Sequence, residues 1–549
     1  MSEAAERADR KPHSPWLVLS VLCLGFFMIL LDTTIVNIAI PDMSTSLSAS
    51  LDQILWVLNS YVLVYAVLLI TAGRLGDLYG PKRLFILGLI VFTVASAVCG
   101  FARNPEQLII ARVVQGVGGA LLTPQTLSVI TMIFPAEKRG AAFGLWGAVA
   151  GVATVAGPTL GGYLVTDWGW EYIFFVNLPI GIIAVVLAAI VMPDIKLNRR
   201  HRLDWTGTAL ATVGLFLVTY GLIEGEPHDW GRVWGPVTIF EVIAAGVVVL
   251  AVFMFQQYAG RDREPLVPFA IFADRNYSLM NVVSAAIAFG MLGLFLPLVI
   301  YLQSVLGLTA LQAGLTTAPM SLISMCVAPL AGRLADRTGG KWVLFLGLSL
   351  WSVGMGLVVW LAHADSGRWH VLPGIIVAGF GLGLTFAPLQ TIAMRNVAPQ
   401  MAGAASGFIN TARQLGAVIG SAAVGALLQV QLADQLRSTA RANAGALPPQ
   451  FRDQFVDGFS NASGGNLEIG AGQSGVELPP DLPEQARQVI GEVAAHTFRQ
   501  AFTTAMRHSL VLPLAVLALA ALCCVFVARR STGATESAPP TPEPVDAHV

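Results

Sequence analysis

An all-α protein that crosses a membrane many times is the fold class this sequence predicts, on three observations. Hydrophobic residues make up 55% of the 549-residue chain and charged residues only 12%, against about 25% charged in a soluble globular protein. The mean hydropathy is +0.69. The apolar residues also come in repeated runs of about 20, the length a helix needs to cross the hydrocarbon core. A large soluble enzyme of this composition would hold run after run of apolar helix with too little polar surface to cover it.

The runs lie at 16–40, 53–73, 84–101, 106–133, 140–164, 170–192, 205–224, 235–257, 278–304, 311–332, 342–362, 370–394, 402–430 and 508–528, which makes fourteen spans. The separation of 106–133 from 140–164 rests on FPAEKRG as a short charged turn. Arg7, Arg10 and Lys11 precede the first run, but no small-residue cleavage site interrupts it, so it reads as a retained span and not a signal peptide. Numbering the loops from an inner N-terminus puts 21 of the 32 lysines and arginines on one side. The six short loops of the other side hold only Arg103, Arg232 and Arg368. The positive-inside rule then places both termini in the cytoplasm.

The organisation expected is a cytoplasmic N-terminus (1–15), a six-helix bundle (16–192), two inserted spans with their cytoplasmic loops (193–277), and a second six-helix bundle (278–430 and 508–528). A long extracytoplasmic segment, 431–507, separates the last two spans. It is rich in Gly and Asn around SNASGGNLEIGAGQSG and helix-like from about 482. It reads either as a gate or docking site for an envelope partner, or as a solvated loop. The Pro- and acid-rich tail, 529–549, has the composition of a disordered cytoplasmic segment.

A net charge of −1 offers no electrostatic footprint for nucleic acid. Cys23, Cys99, Cys326, Cys523 and Cys524 all fall inside apolar runs without metal-ligand spacing, and read as packing residues. No GxxxxGK[ST] phosphate loop and no catalytic dyad is present. The expectation is therefore a non-enzyme without metal or cofactor, and the chain is expected to act as a monomer.

One charged stretch occurs twice, as GRLGDLYGPKR (Gly73–Arg83) and GRLADRTGGKW (Gly332–Trp342). Gly73, Arg74, Leu75, Asp77, Gly80 and Lys82 match Gly332, Arg333, Leu334, Asp336, Gly339 and Lys341. Each copy joins the end of one span to the start of the next on the inner side. Duplicated halves are a mark of secondary transporters. The copies are eight spans apart, so two spans, the seventh and eighth, are inserted between two sixfold halves.

Gly73–Arg83 resembles the signature hairpin of the major facilitator superfamily, and the whole chain resembles its fourteen-span drug:proton antiporter branch. LDTTIVNIAIP (31–41), IARVVQGVGGALLTP (110–124), GVATVAGPTLGG (151–162), FFVNLPIG (174–181) and NTARQLG (410–416) resemble motifs of that branch. The resemblance implies a major facilitator fold in the cytoplasmic membrane. It also implies export by alternating access, in which one central cavity opens to each side in turn. One departure is Glu171, which stands where the branch usually carries an arginine between aromatics.

Only two basic residues, Arg112 and Arg413, and one carboxylate, Asp32, lie well inside spans, where a charge is costly and needs a reason. Glu224 and Glu241 fall near outer ends and read as wetted. Asp32 lies roughly 12 Å and Arg112 roughly 10 Å from the outer surface at the helical rise of about 1.5 Å per residue, so the two share a depth. In the family both spans line the cavity, which implies that Asp32 and Arg112 communicate as the proton-coupling pair. Burial disfavours a charged carboxylate and a nearby guanidinium favours it, so a site balanced between the two can exchange a proton. The alternative is a permanent ion pair that ties two helices together.

Gly147, Gly151, Pro158 and Gly162 share one face of span five, with Gly157-Pro158 bending the helix. By resemblance this face packs on the other half and marks exporters; the alternative is ordinary small-residue packing. Gly73, Arg74, Asp77, Gly80, Lys82, Arg83, Arg333 and Asp336 are expected to form conformational latches, with Asp77 facing a helix N-terminus of the opposite half or pairing with Arg74. The second copy departs at Ala335 and Trp342 and is expected to latch less strongly. Trp56, Tyr61, Tyr65, Gln115, Phe289, Phe295, Asn410 and Arg413 are the candidate cavity residues, a set suited to a small lipophilic substrate. Function is therefore expected to be proton-coupled export of hydrophobic drugs or antibiotics. The alternatives are export of a lipid or metabolite, or a non-transporting membrane sensor.

Overall fold

The structure, a computed structural model, describes residues 14–195, 204–225, 228, 230–260, 266–447, 449–462 and 484–528. The tail 529–549 and the glycine-rich centre of 431–507 lie outside the described residues. The first half consists of α1 (Pro15–Ile35), α2 (Leu51–Tyr79), α3 (Pro81–Gly100), α4 (Pro105–Ile133), α5 (Arg139–Asp167) and α6 (Asn177–Val191). The insertion is α7 (Trp205–Ile223) and α8 (Ile239–Ala259), joined through a short antiparallel pair, β1 (Arg232–Trp234) and β2 (Val237–Thr238). The second half is α9 (Arg275–Ile300), α10 (Ala310–Thr338), α11 (Lys341–Leu361), α12 (Leu372–Gly383, resuming at Phe386–Ala393), α13 (Ala402–Asn443) and α14 (Val511–Cys524). Thirteen helices among the described residues are long and apolar enough to cross a membrane; α5, 29 residues long, is the remaining one of the fourteen helices numbered here.

Local signals explain the starts of these helices. Pro15, Pro81 and Pro105 stand in first turns, where a missing N–H costs nothing. Ser50 with Gln53 closes a capping box on α2, and Thr309 with Gln312 closes one on α10. Both helices are 29 residues long, so the internal repeat extends from the hairpin back through a whole span to its cap.

Two crossings between the halves and two within them make up the main packing of the bundle. Helix α2 packs on α13 and α5 on α10, each pair joining opposite halves, while α9 packs on α13 and α3 on α4 within a half. The inserted α7 and α8 pair with each other, and α7 lies against both α2 and α13, so the insertion covers the seam between the halves on that side. Large apolar side chains such as Phe240 and Phe255 on α8 and Trp360 on α11 point outward, as lipid-facing positions must.

Where it is described, the segment 431–507, expected to be helix-like from about 482, is helical over most of its length. Helix α13 runs 42 residues, roughly 63 Å at about 1.5 Å per residue and twice the hydrocarbon thickness. Its far end meets the helices Pro449–Ala462 and Glu484–Ser509. Phe455, Phe459 and Phe502 are buried there, so the boundary at 430 marks where apolar sequence stops and not where the helix stops.

Candidate functional site: a buried carboxylate on the first span

Asp32 lies one turn before the end of α1 and is completely buried, as is Arg112 on α4. Arg112 Nη1 donates to Asp32 Oδ2 at 2.6 Å and to Gln115 Oε1 at 2.8 Å, and its Nε donates to the Val57 carbonyl at 3.2 Å. Gln115 Nε2 donates to Asp32 Oδ1 at 2.8 Å, and Asn177 Nδ2 donates to the same oxygen at 3.1 Å. The guanidinium also lies 4.3 Å from the ring centroid of Tyr61. An ion pair taken out of water costs several kcal/mol per ion unless its remaining hydrogen-bonding capacity is met, and here three donors meet one carboxylate.

This cluster absorbs three of the residues expected to line a cavity. Gln115 bridges the pair, Tyr61 stacks on the guanidinium, and Tyr65, one turn on, donates to Thr123 at 3.0 Å. All three are buried inside the first half. Trp56 lies with its ring 5.9 Å from that of Tyr220 on α7. Phe289 and Phe295 are half-buried on α9 against the main core. Asn410 is buried and accepts from Arg413 Nη2 at 3.0 Å, with Arg413 itself half-buried. Sequence reading missed Asn177: it sits in the quoted FFVNLPIG motif, but nothing local tells that its amide reaches the first span. Glu224, expected to be wetted, is buried at 4% exposure and lies 3.2 Å from His228.

The hairpins meet the opposite half as a matched pair. Asp77 Oδ1 accepts the backbone N–H of Gly403 and its Oδ2 that of Ala404, both at 2.9 Å, at the start of α13. Asp336 Oδ1 accepts from Gly140 at 2.6 Å and its Oδ2 from Ala141 at 2.9 Å, at the start of α5. The unpaired N–H groups and positive dipole end of a helix suit a carboxylate. The two contacts have the same pattern of two backbone donors, with Asp77 buried and Asp336 half-buried. Arg333, in contrast, is exposed where Arg74 is buried, and Arg83 is exposed too.

Glycines allow these approaches. A Cβ on Gly73 would collide with the Gly403 carbonyl and one on Gly140 with the Gly332 carbonyl, and the converse holds for both pairs. Gly80 has φ +91° and Gly339 φ +82°, which lets each hairpin turn sharply. Lys82 Nζ then caps the end of α6, donating to the Ala189 and Met192 carbonyls at 2.9 and 2.6 Å. Lys341 does the same beyond α14, to Val525 and Val527 at 2.6 and 3.0 Å.

The small-residue face of α5 divides along its length. A Cβ on Gly151 would press on the Ser321 carbonyl of α10, and Gly147 faces Phe386 and Ala328 of the second half. Gly157 abuts Thr34 of α1, within its own half, and Gly162 faces open space. The single face expected across Gly147, Gly151, Pro158 and Gly162 is therefore not one contact; the side chain of Pro158 lies outside the described residues.

Two duplicated helical halves that meet at paired hairpins, with a buried ion pair in the first, define a secondary-transporter architecture. The chain belongs to the Major Facilitator Superfamily, whose model matches residues 22–421, and it is accordingly a multi-pass membrane transporter. It is 41% identical, over 84% of its length and 80% of theirs, to an uncharacterized MFS-type transporter of Mycobacterium tuberculosis. It is 34% identical to a probable actinorhodin transporter of Streptomyces coelicolor, over 92% of this chain and 90% of that one. It is 32% identical to a tetracenomycin C resistance and export protein of Streptomyces glaucescens, over 90% of each. Among solved structures, the human organic anion transporter MFSD10 superposes with a TM-score of 0.55 at 13% identity, over 92% of this chain and all of that one, which is a likeness of fold.

Proposed function

We propose that the protein exports lipophilic or amphipathic small molecules, antibiotics among them, from the cytoplasm in exchange for protons. The observation that carries the reading is the Asp32–Arg112 pair, 2.6 Å apart and without water access. A buried acid in the membrane whose charge is held by one guanidinium and two amides is a place to exchange a proton. The names of the antibiotic-exporting relatives support the substrate class.

In this reading the two hairpins sit on the cytoplasmic face, as the lysine and arginine distribution orients them. Both seams are closed at that face, so the contacts of Asp77 and Asp336 favour the state that is shut to the cytoplasm. A contact present in one state only biases the equilibrium between states. Proton arrival at Asp32 from outside would loosen the first half and allow the seams to part.

The test is transport in proteoliposomes with an imposed pH gradient, using a panel of cationic dyes, polyketide antibiotics and fluorescent lipids. Proton-driven movement of at least one compound, lost in Asp32→Asn with the protein still folded, is the expected result. Coupling that survives in Asp32→Asn overturns the assignment. Movement of the lipids alone would replace the drug reading with a lipid one.

A further inference from the structure

Protonated Asp32 has to satisfy a hydrogen bond that the ionised state does not have, and among its hydrogen-bonded neighbours only the two amides carry an oxygen that can turn to receive it. As the site stands, every neighbour of the carboxylate is a donor: Arg112 on Oδ2, and Gln115 and Asn177 on Oδ1. Adding a proton to Oδ1 forms one O–H bond and cancels the negative charge, with no other covalent change. The new O–H then points at N–H groups, so one of the two amides must turn to offer an oxygen.

Gln115 is held in place, because its Oε1 already accepts from Arg112 at 2.8 Å and from Cys99 Sγ at 3.6 Å. Asn177 is not. Its side chain is fully buried, yet its Oδ1 has no hydrogen-bond partner. A buried amide oxygen left unpaired is unusual enough to need a reason. Its terminal torsion is broad and roughly two-fold, so a half-turn exchanges Nδ2 for Oδ1 at nearly the same place.

The Ser96 side of the cluster accommodates that turn. Asn177 Nδ2 also donates to Ser96 Oγ at 3.1 Å, and Ser96 Oγ in turn donates to the Phe174 carbonyl at 2.9 Å. After the half-turn the serine hydroxyl can redirect its hydrogen to Asn177 Oδ1. Arg112 keeps the Gln115 oxygen, the Val57 carbonyl and the Tyr61 face, so its charge stays housed while Asp32 is neutral. Arg112, Tyr61 and Cys99 are the titratable groups that surround the acid from α4, α2 and α3. None of them offers a free acceptor of carbonyl type.

We propose that Asn177, at the start of α6, is the positioning residue of proton coupling: its amide donates to ionised Asp32 and turns over to accept from protonated Asp32. The proposal rests on the reading of Asp32 as the coupling carboxylate.

The test is infrared difference spectroscopy on the full-length protein in lipid nanodiscs, acid minus neutral, with asparagine labelled with carbon-13 at its side-chain carbonyl. The band of protonated Asp32 is the one lost in Asp32→Asn. In the wild type an asparagine carbonyl band is expected to move to lower frequency as the Asp32 acid band grows, and both changes should vanish in Asp32→Asn. In Asn177→Leu the asparagine shift should be absent and the Asp32 acid band should move up towards that of a free acid. An Asp32 band that grows while no asparagine band moves overturns the proposal and leaves the coupling reading standing. Absence of any Asp32-dependent acid band removes the coupling reading and this proposal with it. The wild-type arm decides the matter even where Asn177→Leu does not fold.

Discussion

Asp77 accepts the backbone N–H of Gly403 at 2.9 Å across 326 residues of chain, and this contact is repeated in kind by Asp336 on Gly140. The two carboxylates belong to copies of one hairpin, and each reaches the first turn of a helix in the other half. In the function proposed above, these two contacts are the clasps on the seams that part when substrate enters from the cytoplasm.

Asp77→Asn and Asp336→Asn each replace a charge-assisted acceptor by an amide, at a cost of about 1.5–3 kcal/mol. Each should shift the protein towards the cytoplasm-open state. The check is thiol labelling of a cysteine placed at Ser406, buried beside the first clasp, in a background without native cysteines. A rise of about tenfold or more in labelling rate is expected for Asp77→Asn, with slower turnover and little change in ligand binding. Unchanged labelling and turnover would end the clasp interpretation.

The glycines of α5 should sort by what they face. Gly140→Ala and Gly151→Ala force a methyl into a facing backbone carbonyl and should abolish or strongly impair transport while α5 itself still forms. Gly162→Ala, with nothing within 4 Å of its new methyl, should transport within about twofold of wild type, since a change on open surface is usually close to neutral. Equal damage at Gly162 and Gly151 would show that the helix needs its glycines for some other reason.

Removing one member of the buried pair should be worse than removing both charges. Arg112→Gln leaves Asp32 buried without its cation and should destabilise the protein by about 3–5 kcal/mol. Asp32→Asn/Arg112→Gln, with no net charge to house, should recover at least half of that loss. Thermal unfolding followed by tryptophan fluorescence measures both. A double variant as unstable as the single one would mean that the pair is held by packing alone.

Lys82 and Lys341 make a fourth, independent case. Each caps a helix C-terminus of its own half, where a cation is worth about 1 kcal/mol. Lys82→Met and Lys341→Met should each lower thermal stability modestly and by similar amounts, with the conformational bias untouched. A change in labelling at position 406 as large as that of Asp77→Asn would place the lysines in the clasp itself.

Much of this molecule was legible before folding. Apolar runs of span length and the asymmetry of lysine and arginine are properties of the bilayer as a solvent, which acts on each segment separately, so the spans could be counted residue by residue. The repeat was legible for the same reason: GRLGDLYGPKR and GRLADRTGGKW carry their turn glycines, caps and charges in the same local order. Asp32 and Arg112 stood out because a charge inside a span is costly wherever it ends up.

Packing decided the rest, because it joins residues that no local pattern relates. Which helix start receives Asp77, that Asn177 closes the ring around Asp32, that Trp56 turns to Tyr220 and that Gly157 and Gly151 face different partners all depend on how helices cross. The continuation of α13 past 430 belongs here as well, since a helix leaving the bilayer is kept by the helices that pack on it and not by the lipid. Composition is a sum over residues and can be read along the chain; a contact between distant residues exists only in the folded arrangement that brings them together.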